Sequence, residues 1–266
     1  DGTEIDGTVM EEKGDHVVIV GNGLAERMQH FGWLETLIHA RFPRHELVFR
    51  NLGYPGDEID GWRNFNSRLR SRDFGSHDEW LAGSAPIPQP RNISPRDKDK
   101  VRENPFELTN TKADVIFAFY GYNESWAGEA GLAKFKENVA EFIKHTLAQK
   151  YNGKSAPRLV LFSPIAHENL DDPNLPDGAE NNAPLALYMK AMGEVAAAHK
   201  VPFVDLFTPS QLLYGESKEP LTINGIHLNE HGERLLALDI DQALFGNLPR
   251  LQLPPGKHDI NIVADE

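Results

Sequence analysis

The sequence has 266 residues, of which 40% are hydrophobic and 25% charged, a globular balance that excludes disordered and fibrous classes. With 40 Asp and Glu against 27 Lys and Arg, the net charge is −13, which disfavours nucleic acid and anionic lipid as partners. Cysteine is absent, which removes disulfides, thiol catalysis and Cys-ligated zinc together. No apolar run reaches the roughly 20 residues of a bilayer span, so no membrane insertion is expected.

In chain order, residues 16–20 (HVVIV) form a continuous apolar, β-branched run ending at Gly21-Asn22-Gly23, as a buried parallel strand before a tight turn would. Residues 24–42 carry apolar side chains at helical spacing, and 47–50 (LVFR) read as a second strand ending in Asn51-Leu52-Gly53-Tyr54-Pro55-Gly56. A third strand, 114–120 (DVIFAFY), ends at Gly121-Tyr122-Asn123-Glu124 and is followed by a helix over about 132–150. Residues 158–162 (RLVLF) make the fourth strand, ending at Ser163-Pro164; a helix over 185–199, a fifth strand over 202–206 and a closing helix over 229–245 complete the series. Strand, polar turn and helix in alternation predict an α/β fold, a three-layer αβα sandwich around a parallel five-stranded sheet of flavodoxin-like type. The proline-rich, charged segment 76–112 reads as one long insertion within a single domain over 1–252, and 253–266 as a tail or linker.

In such sheets ligands bind beyond the carboxyl ends of the strands. Those ends hold Asn22, Gly23 and Glu26; Gly56, Asp57 and Glu58; Asn123, Glu124 and Ser125; Ser163, His167 and Glu168; and Asn224 and His227 before the last helix. The order and spacing of four blocks resemble the SGNH (GDSL-type) hydrolase superfamily. Gly21-Asn22-Gly23-Leu24 stands at the nucleophile block, and 51–56 at the block whose glycine, here Gly56, is an oxyanion donor. Gly121-Tyr122-Asn123-Glu124 matches the block whose Asn, here Asn123, is the other donor, and Asn224-Gly225-Ile226-His227 the block of the general base. The resemblance implies the SGNH fold over about 16–245, and a hydrolase.

Two departures bear on mechanism. The nucleophile position is Gly23 and the triad Asp is Asn224. Replacing the Asp of a serine-protease triad by Asn costs about 10⁴ in turnover, through the wrong imidazole tautomer and a less stabilised cation. An ordinary serine mechanism is therefore not expected. The remaining groups suggest a carbohydrate-directed hydrolase with a non-serine mechanism, glycosidase-like or deacylating, in which water is activated by His227 or a carboxylate. Glu124 and Asp57 are the first acid/base pair, since two carboxylates flanking a sugar bond are what glycoside hydrolysis requires. Substrate or oxyanion contacts are expected from Asn123, Gly56, Asn22, Gly23, Asn224, Glu168, His167, Tyr122 and Trp126, whose aromatic rings suit sugar faces.

Each of these residues also has a plainer reading. Asp57 and Glu58 suit the cap of a helix, Glu26 a solvated helical face, and Ser125 and Ser163 hydrogen bonds to a strand-end turn. Two alternatives stay open: a catalytically silent glycan-binding domain, and an esterase using a substitute serine such as Ser125. The other histidines show no ligand spacing, and Glu26 stands where a dinucleotide turn needs its third glycine, so neither a metal nor a cofactor is expected. The partner is a small molecule or glycan. The subgroup the chain resembles is fused into larger multidomain bacterial proteins, which with the initial Asp1 implies an extracytoplasmic location.

Overall fold

A computed structural model describes residues 9, 12–59 and 111–246. The five strands are β1 (His16–Gly21), β2 (Val48–Asn51), β3 (Val115–Phe119), β4 (Arg158–Phe162) and β5 (Phe203–Val204). They form one parallel sheet in the order β2-β1-β3-β4-β5. The register sets Val17 beside both Phe49 and Val115, and Phe117 beside Val160.

Because side chains alternate across a strand, the apolar runs fill two cores. Val17, Ile19, Phe117, Phe119 and Phe162 face one way. On that side lie α1 (Gly23–Phe31), α2 (Trp33–Arg41) and α6 (Glu230–Phe245), which contribute Met28, Leu34, Ile38, Leu236, Ile240 and Leu244. Val18, Val20, Ile116, Ala118 and Leu161 face the other way, against α3 (Gly128–Ala148) and α4 (Ala179–His199). Phe135, Val139, Phe142 and Ile143 of α3 recur at helical spacing and are all buried. Each large side chain so enclosed contributes about 1.5–3 kcal/mol of transfer free energy. The result is the predicted αβα sandwich.

Several boundaries differ from those expected. The single helix over 24–42 is two, divided at Gly32, whose left-handed φ of 65° ends α1 with its N–H on the Met28 carbonyl. Helix α4 begins six residues earlier than the periodicity suggests and runs through Pro184. Its first turn is held from outside: the Asn182 amide oxygen accepts the His167 N–H at 2.7 Å and its nitrogen donates to the His167 carbonyl at 2.9 Å. A short helix α5 (Phe207–Glu216) follows β5 where none was expected. Most of the insertion at 76–112 and the whole tail at 253–266 lie outside the described residues. Among the described residues no helix is long and apolar enough to cross a membrane.

Candidate active site

The turn after β1 begins the site. Gly21 has φ 136° and packs against the Phe119 carbonyl so closely that a Cβ there would clash, so only glycine allows the chain to leave β1 beside β3 at this angle. Asn22 then starts α1 as its N-cap, its side-chain oxygen accepting the Leu24 N–H at 3.1 Å, while its own N–H donates to the Phe119 carbonyl at 3.1 Å. Gly23 is the first residue of α1. A Cβ built on it would lie 3.8 Å from His227 Nε2, with no other heavy atom of the described residues within 4 Å beyond its chain neighbours and helix backbone. The site of the expected nucleophile therefore faces the histidine directly.

The loop after β2 is folded back onto that turn. Asn51 donates to the Ala25 carbonyl at 2.6 Å and accepts the Gly53 N–H at 2.8 Å, and Tyr54 N–H reaches the Gly21 carbonyl at 2.8 Å. These bonds bring Pro55 and Gly56 to the mouth. Asn123, at the end of the β3 turn, donates from its amide nitrogen to the Asp57 carbonyl at 2.8 Å. Gly56 and Asn123 are thus tied together, and the second hydrogen of the Asn123 amide meets no acceptor among the described residues.

Asn22, Gly23, Gly56, Tyr122, Asn123 and His227 line one cavity of about 240 Å³. Its remaining wall is mostly apolar, with Leu24, Pro55, Phe119, Pro164, Ile165 and Ile226. Leu24, Pro55, Pro164 and Ile226 stand inside the sequence blocks that carry the polar candidates, but their apolar side chains gave no site expectation.

The geometry of His227 is set by Asn224. The Asn224 side-chain oxygen accepts the backbone N–H of His227 at 3.0 Å, a contact only the oxygen of the amide can make. The same oxygen lies 3.0 Å from His227 Nδ1, so the network assigns the proton to Nδ1 and leaves a lone pair on Nε2, toward Gly23. The expectation that an amide at 224 imposes the wrong tautomer is overturned, because the backbone contact fixes which end of the amide meets the ring. What Asn224 lacks is the negative charge that would stabilise an imidazolium. Burial lowers the His227 pKa from its usual value, the Arg27 guanidinium lowers it further, and Glu26 opposes both. Both leading causes favour the neutral ring. Arg27 escaped the sequence reading; its signal was its place one turn beyond Gly23 on the same helix.

Other residues named from the sequence lie close by without lining the cavity. Glu124 turns inward, and its two oxygens accept the N–H groups of Ile59 at 2.7 Å and Gly121 at 2.9 Å. Burial pushes its pKa up to about 8, the nearby Glu58 charge adding to this while the backbone hydrogen bonds oppose it. It staples the Asp57–Ile59 loop to the end of β3. Asp57 is buried, with Tyr120 donating to it at 3.4 Å. The two carboxylates do not converge on the cavity as an acid/base pair would. Ser125 donates to the Tyr122 carbonyl at 2.6 Å and does not line the cavity. Ser163 does line it, but its hydroxyl donates to the Pro164 carbonyl and accepts the Leu206 and Phe207 N–H groups. Neither serine is paired with His227.

Glu168 and His167 pack against the loop that carries His227. The buried Glu168 carboxylate accepts the N–H groups of Leu221 and Thr222 and the Thr222 hydroxyl, the last at 2.6 Å. That hydroxyl oxygen in turn accepts the Gly225 N–H at 2.9 Å. The His167 ring lies against Gly178 and Gly225, where any Cβ would collide with it. Trp126 stands 69% exposed beside Tyr122, ring centroids 6.4 Å apart, on the rim. Among the described residues no three His, Cys, Asp or Glu side chains converge as a metal-ligand set would.

A family model described as the GDSL-like lipase/acylhydrolase family matches residues 29–235. None of the curated proteins matches the chain. Among solved structures, LAE5, an alpha/beta hydrolase enzyme from the metagenome of Lake Arreo, is 16% identical with a TM-score of 0.58, over 90% of this chain and 98% of its own. Axe2, an acetylxylan esterase from Geobacillus stearothermophilus, is 12% identical with a TM-score of 0.57, over 91% and 96%. The acetyl xylan esterase AlAXEase is 16% identical with a TM-score of 0.52, over 86% and 99%. At these identities the likeness is one of fold.

Proposed function

This chain belongs to the GDSL-like lipase/acylhydrolase family, a family of hydrolases, and we propose that it is a deacylase of small acyl esters on a carbohydrate, using water activated by His227 in place of a serine. The observation that carries this reading is the 3.8 Å approach of His227 Nε2 to the Gly23 Cβ direction, which leaves room for a nucleophilic oxygen where a serine side chain would stand.

In the proposed reaction water beside Gly23 gives a proton to Nε2 as its oxygen attacks the ester carbonyl. The oxyanion is met by the Gly56 N–H and the second hydrogen of the Asn123 amide, and Nε2 then returns the proton to the departing alcohol. Ester and water become acid and alcohol in one displacement, with no acyl-enzyme. Losing a covalent nucleophile is not fatal: triad knockouts retain about 10³–10⁴-fold catalysis over water from the oxyanion hole and binding. A positioned general base adds about 10²–10⁴.

The mostly apolar, 240 Å³ cavity suits a short acyl group better than a sugar ring. Tyr122 in the wall and Trp126 on the rim offer aromatic faces to a sugar outside it. Two of the structural neighbours are named as acetylxylan esterases, which favours the same substrate class. The glycosidase branch loses its support where Glu124 and Asp57 bind backbone and tyrosine instead of facing the cavity.

The test is a panel of acetylated sugars and aryl acetates, with aryl glycosides alongside, assayed with the wild type and His227→Ala. Acetate release that disappears in His227→Ala is expected. Glycoside turnover without acetate release, or acetate release indifferent to His227, overturns the proposal.

A further inference from the structure

One buried acid close to the base has no part in the reaction described so far. Helix α6 begins three residues beyond His227, capped by the Asn229 side chain, which accepts the Gly232 N–H at 2.9 Å. Gly232 lies so near the Leu221 carbonyl that a Cβ there would collide, so the first turn of α6 is pressed onto the loop that carries His227. Glu233 follows, 4% exposed, its backbone N–H on the Asn229 carbonyl at 2.9 Å. Among the described residues neither of its buried carboxyl oxygens has a hydrogen-bond partner, and neither has the buried Nε of Arg27 on α1. A buried polar group without a partner is costly, so an acid kept here calls for a role.

Arg27 links Glu233 to the base. Its Nη2 donates at 3.4 Å to the carbonyl of Leu228, the residue after His227. Its charge favours the ionised Glu233 carboxyl and disfavours the His227 imidazolium. The other charge acting on His227 is Glu26, also on α1, with His30 at 3.6 Å from it; on α6, Arg234 lies over the Trp33 ring of α2 at 6.0 Å. Burial disfavours a Glu233 carboxylate while its place in the first turn of a helix favours one, and the group titrates at about 7.

We infer that Glu233 is a positioning residue for the base, a carboxylate that offsets the Arg27 charge and so raises the proton affinity of His227 as it ionises. The inference rests on the deacylase reading and extends it. Through Arg27, Glu233 supplies part of the negative charge that Asn224 lacks. As Nε2 takes its proton in the reaction, the imidazolium faces the full Arg27 charge when Glu233 is neutral and an offset one when it is ionised. The coupling is reciprocal, so each group's titration registers in the other's.

The experiment follows the His227 ring by NMR, and acetate release from an aryl acetate, across pH in the whole protein, in Glu233→Gln and in Arg27→Gln. The ring resonance is assigned by its loss in His227→Ala, and a thermal melt shows that each variant is folded. Beyond the acid limb that His227 itself sets, the wild-type ring should show a second, smaller inflection at about 7. Release should step up there by about threefold, as the offset charge eases formation of the imidazolium. Glu233→Gln should lack both the inflection and the step. Arg27→Gln leaves the carboxyl without its cation and should move the second inflection upward. A ring that titrates alike in the wild type and Glu233→Gln overturns the inference, and so does a second inflection that Arg27→Gln leaves in place. The inflection without His227-dependent release at any pH overturns the deacylase and leaves the coupling of Glu233 to the ring standing.

Discussion

The Asn224 amide oxygen holds the backbone N–H of His227 and its ring Nδ1 at once, each at 3.0 Å. One atom therefore sets both where the ring lies and which nitrogen carries the proton. A carboxylate there would add charge but would not change the tautomer. Asn224→Asp is expected to raise the His227 pKa and the acetate-release rate by about tenfold, since an adjacent opposite charge stabilises the imidazolium formed in the transition state. Asn224→Ala should lower the rate by about tenfold or more, the ring losing its orientation. Steady-state kinetics across pH distinguishes the two.

Restoring the side chain at 23 should change the mechanism. Gly23 is helical with no positive φ, and among the described residues its Cβ direction meets only His227 Nε2, at an ordinary 3.8 Å, so Gly23→Ser is expected to fold without strain. Its hydroxyl would stand beside Nε2, and we expect turnover to rise by about tenfold or more as a covalent step becomes available. Intact-protein mass spectrometry after mixing with an aryl acetate should find one added acetyl group on Gly23→Ser and none on the wild type. An acetyl adduct on the wild type would sink the water mechanism.

The acid limb of the rate profile reports His227. Its pKa is held below the ordinary imidazole value, first by burial and then by Arg27, with Glu26 opposing both. The base is active only when neutral, so the rate should rise with pH through a midpoint below 6.5 and then level. Arg27→Gln removes the nearby positive charge and should move that midpoint upward. The sign for stability is the same: a depressed imidazole pKa contributes stability above the unfolded value that is lost as pH falls toward the folded one. A profile unmoved by Arg27→Gln would remove Arg27 from the electrostatics of the base.

Glu124 and Glu233 have the opposite sign. Burial lifts Glu124 to about 8 and Glu233 to about 7, both well above the ordinary carboxylate range. Between the unfolded and folded values the native state binds more protons, so stability should fall as pH rises through that window. Glu124→Gln leaves one of the Ile59 and Gly121 N–H groups facing an amide donor. It should cost about 1–3 kcal/mol near pH 6 and flatten the pH dependence of Tm. A melt series from pH 5 to 9 checks both effects, and an unchanged slope in Glu124→Gln would detach the dependence from this carboxylate.

The strands and the residues at their ends were legible in the sequence because buried parallel strands are apolar on both faces, and HVVIV or RLVLF has few other uses. His227, Gly23, Asn123 and Gly56 were legible as a set because the strand ends of such a sheet converge. Carboxylate roles were not legible. Glu124 and Glu168 stand at the right strand ends, yet the N–H groups they accept come from 59, 121, 221 and 222, which nothing in the local sequence foretells. The tautomer of His227 was misread for a similar reason, since it depends on a backbone contact that a side-chain motif does not encode. The division of the first helix at Gly32 and the early start of α4 likewise turn on one left-handed residue and one side chain, Asn182.

The cavity draws its walls from residues 22–24, 55–56, 119–123, 163–165 and 226–227, five stretches spread over most of the chain. Four of them follow parallel strands, while the fifth lies beyond β5 and α5, just before α6; parallel pairings between strands distant in sequence form slowly. During synthesis, the base is the last of these stretches to emerge. A nascent chain can therefore complete all five strands and α5 before His227 emerges, and the cavity closes only with the approach to α6.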